Sequence, residues 1–306
     1  MGLLEAIILA VLAASTPLLL AAAGELMVER AGVLNLGVEG MMIMGAACGF
    51  GGAYLTGSTL VGALCGIAAG AALSAVFAAL TLGLAVNQVA AGLALTILGV
   101  GLSGLIGASF VGEKIASAPH LYIPLLTDLP FVGRILFGQD AFVYLSLALI
   151  IGIWWFPYRT RPGLVLRAIG DNHTSAHALG YPVLKIRTFA VLFGGACAGL
   201  GGAYLPLAYT PFFIPGMTAG RGWIALALVV FASWLPGRLV VGAYLFGGVT
   251  ILQLHAQGAG LGIPSQLMTS LPYLATILVL VVISRARATA GSAAPASLGV
   301  VFVPDR

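Results

Sequence analysis

The feature that most constrains this chain is a series of apolar runs long enough to cross a bilayer, separated by short polar or Pro/Gly-containing breaks. A hydrocarbon core of about 30 Å takes roughly 20 apolar residues of helix. Inside that core each backbone N–H and C=O must find its partner within the segment, so a spanning run folds as a helix or joins a closed barrel. Cutting the chain at its breaks gives nine expected spans: residues 3–24, 37–56, 59–84, 89–110, 142–158, 188–209, 223–235, 239–254 and 271–284. The seventh and ninth are short, which implies tilt, interfacial flanks or misplaced ends. The expected fold class is all-α, a polytopic transmembrane helix bundle of about nine spans, forming one domain over residues 1–306.

Composition agrees. At 60% hydrophobic and 7% charged residues, the chain has too little polar surface to cover a water-soluble globule. Its 43 glycines lie among long apolar runs without a three-residue period, so they read as close helix packing. The pairs Gly45/Gly49, Gly66/Gly70 and Gly195/Gly199 have the small-xxx-small spacing that lets helix backbones approach closely in lipid. Cys48, Cys65 and Cys197 sit inside apolar stretches away from other metal ligands and read as packing residues, and no metal site is expected. The amino-terminal run lacks a basic flank and exceeds a signal-peptide core, so it is expected to remain as a first span. A net charge of +4 without a basic patch interleaved with aromatics argues against a nucleic-acid partner.

Basic residues set the expected orientation, because Lys and Arg accumulate in cytoplasmic loops. The loop 159–187 carries Arg159, Arg161, Arg167, Lys185 and Arg187 against one acid, Asp171, and follows Trp154, Trp155 and Phe156. Placing it inside also puts Arg30, Arg238, Arg285, Arg287 and Arg306 inside and leaves Lys114, Arg134 and Arg221 outside. The amino terminus is then outside, the carboxyl terminus cytoplasmic. Residues 49–55 and 199–205 match at six of seven positions, either as a true internal repeat or as a shared need for glycine in a packed helix.

The chain has no Walker A motif and only two lysines, Lys114 and Lys185, so it is not expected to hydrolyse ATP. The span interiors carry no chain of Asp, Glu or His such as a proton- or sodium-coupled carrier would use, and Glu39 is the one acid expected near the bundle interior. No nucleophile–base pair or carboxylate pair suggests an enzyme.

Three segments hold the polar character. Residues 24–40 mix charges, Asn and Gly between two spans, and read either as a dip into the bundle or as a cytoplasmic turn. Residues 170–180 begin with Asp171 or Asn172 as a candidate N-cap and end on Gly180 as a C-cap, bracketing a short helix held outside the membrane by basic flanks. Such a helix has the form of a docking element, with His173 and His177 as surface residues on it. The outer loop 111–140 is broken by Pro119, Pro124 and Pro130 and is rich in apolar residues, which suits packing at the membrane face or docking of an external protein.

These segments resemble the permeases of type II ABC importers for branched-chain amino acids, ribose and nucleosides. Residues 29–40 (ERAGVLNLGVEG), 123–133 (IPLLTDLPFVG) and 271–276 (LPYLAT) are most similar to the nucleoside subgroup, and the likeness covers nearly the whole chain in order. Nine spans and an outside amino terminus resemble the shorter nucleoside-type members. The resemblance implies two permease subunits, identical or homologous, in the cell (inner) membrane, two cytoplasmic ATPase subunits that carry the ATP and Mg, and an extracytoplasmic substrate-binding protein. It makes Gly170, Asp171, Asn172, Thr174, Ser175, Ala176, Ala178, Leu179 and Gly180 the coupling helix; His173, where relatives often carry Pro, is a departure. The implied mechanism is ATP-driven alternating access for nucleosides, with branched-chain amino acids or a simple sugar as alternatives and a self-contained channel from another class. Asn35 and Glu39 at the start of the second span, and Asn87 and Gln88 between the third and fourth, are candidate path residues, since amides can hydrogen-bond a passing solute without a buried charge.

Overall fold

The apolar runs fold as helices in a computed structural model that describes residues 2–127, 129, 132–258 and 294–304, with 264, 266–268, 270–271, 274–275, 277–278 and 281. In order these are α1 (Leu3–Arg30), α2 (Val38–Thr56), α3 (Thr59–Ala78), α4 (Gln88–Gly107), α5 (Val132–Phe137), α6 (Ala141–Arg159), α7 (Arg161–Asp171), α8 (His173–Ala178), α9 (Val183–Tyr204), α10 (Arg221–Phe231) and α11 (Pro236–Gly258). Among the described residues seven helices are long and apolar enough to cross a membrane, namely α1, α2, α3, α4, α6, α9 and α11, and α10 is a shorter apolar helix. The ninth expected span lies largely outside the described residues, as do Arg285, Arg287, Arg306 and part of the 123–133 and 271–276 motifs.

The expected glycine pairs meet in one seam. A Cβ on Gly45 of α2 would run into the backbone of Gly199 on α9, one on Gly199 into the Gly66 carbonyl of α3, and one on Gly70 into the Gly195 carbonyl. Three helices therefore touch backbone to backbone, gaining dispersion contacts where lipid offers no hydrophobic drive. The order of these contacts fixes direction. Gly45 and Gly49 face Gly199 and Ala203, so α2 and α9 run parallel, whereas Gly66 and Gly70 face Gly199 and Gly195 and make α3 antiparallel to α9. The two copies of the repeated segment thus pack against the same seam. At the end of α9 the backbone widens into a π-helical turn, Leu205–Tyr209, at Pro206, which has no N–H to give.

Two expectations change. The first span does not end at Gly24: α1 continues to Arg30, and Glu25, Glu29 and Arg30 are buried against neighbouring elements. Their charges looked like a helix end, yet they sit where partners exist. The second change concerns the short seventh span, which is short because it is interrupted. After α9 the chain runs without helix over residues 210–220, passing Phe50 at Phe213 and reaching Glu39 at Thr218, eleven positions along α2, or roughly 16 Å. Only there does α10 begin. Phe213 and Thr218 anchor this stretch in the bundle, while Phe212, Ile214, Pro215, Gly216 and Ala219 between and around them are exposed. Arg221, expected in an outer loop, instead opens α10 beside Glu39 and donates to the Met217 carbonyl at 3.0 Å.

Candidate functional site

The polar side chains gather around the α1–α2 turn. Residues 31–37 fold back along α1: the Asn35 N–H donates to Glu25 Oε1 at 3.3 Å, and the neighbouring Leu34 N–H donates to Gln88 Oε1 at 2.8 Å. The Asn35 side chain accepts from Gly37 N–H at 2.9 Å, a local turn that fixes the start of α2. One turn further, the buried Glu39 carboxylate caps α10 from outside. Its Oε1 accepts from the Thr218 hydroxyl at 2.6 Å and Gly220 N–H at 2.9 Å, and its Oε2 accepts from Gly222 N–H at 2.6 Å. A carboxylate at a helix N-terminus satisfies otherwise orphaned donors and complements the helix dipole. Gly222 permits the approach, since a Cβ there would lie 2.5 Å from the Glu39 backbone.

Of the four candidate path residues, the structure thus brings Asn35, Glu39 and Gln88 to one corner, while Asn87 is exposed and caps α4 by accepting from Ala90 N–H at 3.0 Å. Gln88 Nε2, Glu25 Oε2 and Glu29 Oε1 are buried without a hydrogen-bond partner. Glu25 and Glu29 escaped sequence reading because both were placed beyond the end of α1. Glu29 Oε2 accepts from Trp234 Nε1 at 2.6 Å, and Arg30 donates to the Trp234 carbonyl at 2.9 Å, tying the α10–α11 turn to α1.

The loop 159–187 folds as two helices. The unforeseen α7 starts on Thr160, whose hydroxyl accepts from Gly163 N–H at 3.1 Å. Next, α8 starts on Asn172, whose Oδ1 accepts from Ser175 N–H at 2.9 Å, and ends before Gly180 at φ 85°. Asp171, Asn172, Thr174, Ser175, Ala178, Leu179 and Gly180 are exposed, with Leu179 at 78%, whereas Ala176 is 4% exposed and Gly170 is buried against the Arg30 carbonyl. His177 is exposed, as expected, and His173 half-buried, and both rings stand edge-on to Phe302, at 5.1 and 5.3 Å. Burial, then the Arg187 guanidinium, push His173 below the ordinary histidine range.

The outer loop 111–140 is stitched to the bundle by Ala118 N–H to the Leu207 carbonyl at 2.7 Å and Ile115 N–H to the Pro211 carbonyl at 3.2 Å. Leu121, Tyr122, Ile123, Leu125 and Leu126 remain exposed on it.

Residues 7–284 match the family described as branched-chain amino acid transport system / permease component. The chain belongs to this permease family. Three relatives span it at similar length. It is 46% identical to the putative glucose ABC transporter permease protein of Haloferax volcanii, over 87% of this chain and 88% of that one. It is 32% identical to the nucleoside ABC transporter permease protein of Lactococcus lactis subsp. cremoris, over 90% and 92%. It is also 32% identical to the guanosine ABC transporter permease protein of Bacillus subtilis, over 96% and 97%. The permease is therefore a multi-pass membrane protein of an ABC transporter, as the resemblance implied.

Proposed function

We propose that this chain forms the translocation path of an ABC importer for a neutral, hydroxyl-rich solute, nucleosides being the first reading. The observation that carries it is the interrupted span. Its helix α10 starts inside the bundle beside Glu39, an arrangement that transporter folds use to aim polar backbone at a solute. Because the Glu39 carboxylate already takes the N–H groups at this terminus, they are not left to receive an amino-acid carboxylate, which suits an uncharged solute better. The names of the two relatives at 32% support nucleosides. A simple sugar is the second reading, favoured by the name of the 46% relative. Energy enters at α8, through cytoplasmic ATPase subunits that hold the ATP and Mg; a second permease subunit and an extracytoplasmic binding protein complete the importer. ATP-driven displacement of α8 switches the bundle between outward-open and inward-open states. The test is uptake of labelled guanosine, adenosine, glucose, ribose and leucine by the reconstituted importer with its binding protein. Nucleoside uptake is expected; uptake of a sugar alone moves the reading to the second, and uptake of leucine alone overturns both.

A further inference from the structure

Residues 294–304 return to the helices of the coupling loop and fasten to them at several points. Ser297 N–H donates to the Gly170 carbonyl at 2.9 Å, and Gly299 N–H donates to the Gly32 carbonyl at 3.2 Å. The Ser297 hydroxyl reaches the Asp171 carbonyl at 3.2 Å. Phe302 is buried with Ile169 of α7, Ala176 of α8 and Val183 of α9, between the rings of His173 and His177. Beneath this lies Arg187, fully buried. Its Nε donates to Ala31 O at 3.0 Å, its Nη1 to Val300 O at 3.3 Å, and its Nη2 to His173 Nδ1 at 3.3 Å. One guanidinium thus joins the α1–α2 turn, the carboxyl-terminal segment and α8.

A helix as short as α8, with only Ala176 buried among its six residues, has little of its own to hold it against a load. We propose that residues 294–304, with Arg187 as a positioning residue, are a built part of the coupling element: a strap that fixes α8 to the α1–α2 turn, so that an ATPase subunit moving α8 moves Asn35 and Glu39 with it. This rests on the importer reading above. The contacts supply the continuity it needs, since Gly170 and Gly32 meet backbone to backbone and the turn that follows Gly32 leads directly into Asn35.

The test uses the whole importer in proteoliposomes and reads solute imported per ATP hydrolysed, beside co-purification of the ATPase. Phe302→Ala is expected to keep the complex together and lower that ratio by about fivefold, the scale of changes made along a coupling network. Arg187→Lys should lower it too, because a single ammonium cannot reproduce the forked donor geometry toward turn, strap and α8. An unchanged ratio in Phe302→Ala overturns the strap. As a check independent of destabilisation, His177→Cys with Phe302→Cys is joined by a short thiol cross-linker; the linked form should regain the ratio that the unlinked form loses. Failure to regain it, or a block of import on linking, also overturns the proposal. A wild-type complex without ATP-driven import would instead sink the importer reading and leave the strap geometry untouched.

Discussion

A carboxylate that receives two backbone N–H groups and a hydroxyl cannot be exchanged for an amide without leaving a donor facing a donor. Glu39→Gln would place an NH₂ toward either the Gly220 or the Gly222 N–H. A buried donor stranded this way costs about 1–3 kcal/mol. The expected outcome is a lower thermal midpoint of the detergent-solubilised protein and reduced uptake, with Glu39→Ala worse than Glu39→Gln. Equal stability of all three would remove the capping role. His173 gives a second residue-scale prediction. An arginine can only donate, so His173 Nδ1 must accept from Arg187 and be unprotonated. Its value in the fold lies below the ordinary 6.5, so its contribution is present above that pH and lost as pH falls through the lowered value. The protection factors of the Ser297–Val303 amides, with the slower intrinsic exchange at lower pH divided out, should therefore fall as pH drops below 6.5. His173→Gln should flatten that dependence, and equal pH dependence in both proteins would refute it.

At the scale of elements, the legible parts were those set by local pattern. Small-xxx-small spacing marked close helix packing, though not which helices meet, and the candidate caps at Asn172 and Gly180 bracketed α8. The parts that could not be read depend on what packs beside them. Residues 24–30 look like a helix end because they are charged, but Trp234, Asn35 and Tyr158 meet those charges from elsewhere in the chain. Pro211, Pro215, Gly216 and Gly220 marked a break between two spans, but composition did not show that the chain there runs back along α2 to Glu39. Nor did spacing reveal that Ala176 faces Phe302. This divides two substitutions that sequence alone treats alike. Leu179→Asp should leave folding intact and impair ATPase docking, by placing a charge that the docked groove must desolvate. Ala176→Asp should instead disrupt the α7–α8–strap packing within the chain, seen as loss of exchange protection before any partner is added. Normal docking and import with Leu179→Asp would exclude its face as the contact.

Across the whole molecule, direction can be followed from helix to helix. The Gly24–Gly194 contact and the Pro17–Gly201 contact make α1 antiparallel to α9, α9 is parallel to α2, and Gly37 against Gly92 with Gly40 against Leu95 and Gly99 makes α4 parallel to α2. Trp234 beside Glu29 and Gly247 beside Ser15 make α11 antiparallel to α1. The first four crossings therefore alternate, and α9 and α11 run the same way with residues 210–231 returning between them, which keeps Arg30 and the start of α9 on one side. Arg221 is half-buried at the start of α10, its guanidinium 5.9 Å from the Tyr209 ring in the turn that follows α9. Lys114 and Arg134 lie opposite the basic residues of the α1–α2 turn, the α6–α9 loop and the start of α11. We propose that this basic side is cytoplasmic, on the bias of loop charges. A single cysteine at Gly180 should then be labelled by an impermeant maleimide only after the cell is opened, and one at Pro124 in intact cells. Native Cys48, Cys65 and Cys197 lie within α2, α3 and α9, so a background lacking them isolates the signal. Labelling of Gly180→Cys in intact cells would invert the molecule, place α8 and its strap away from any ATPase, and remove the physical basis for energy entering at that end.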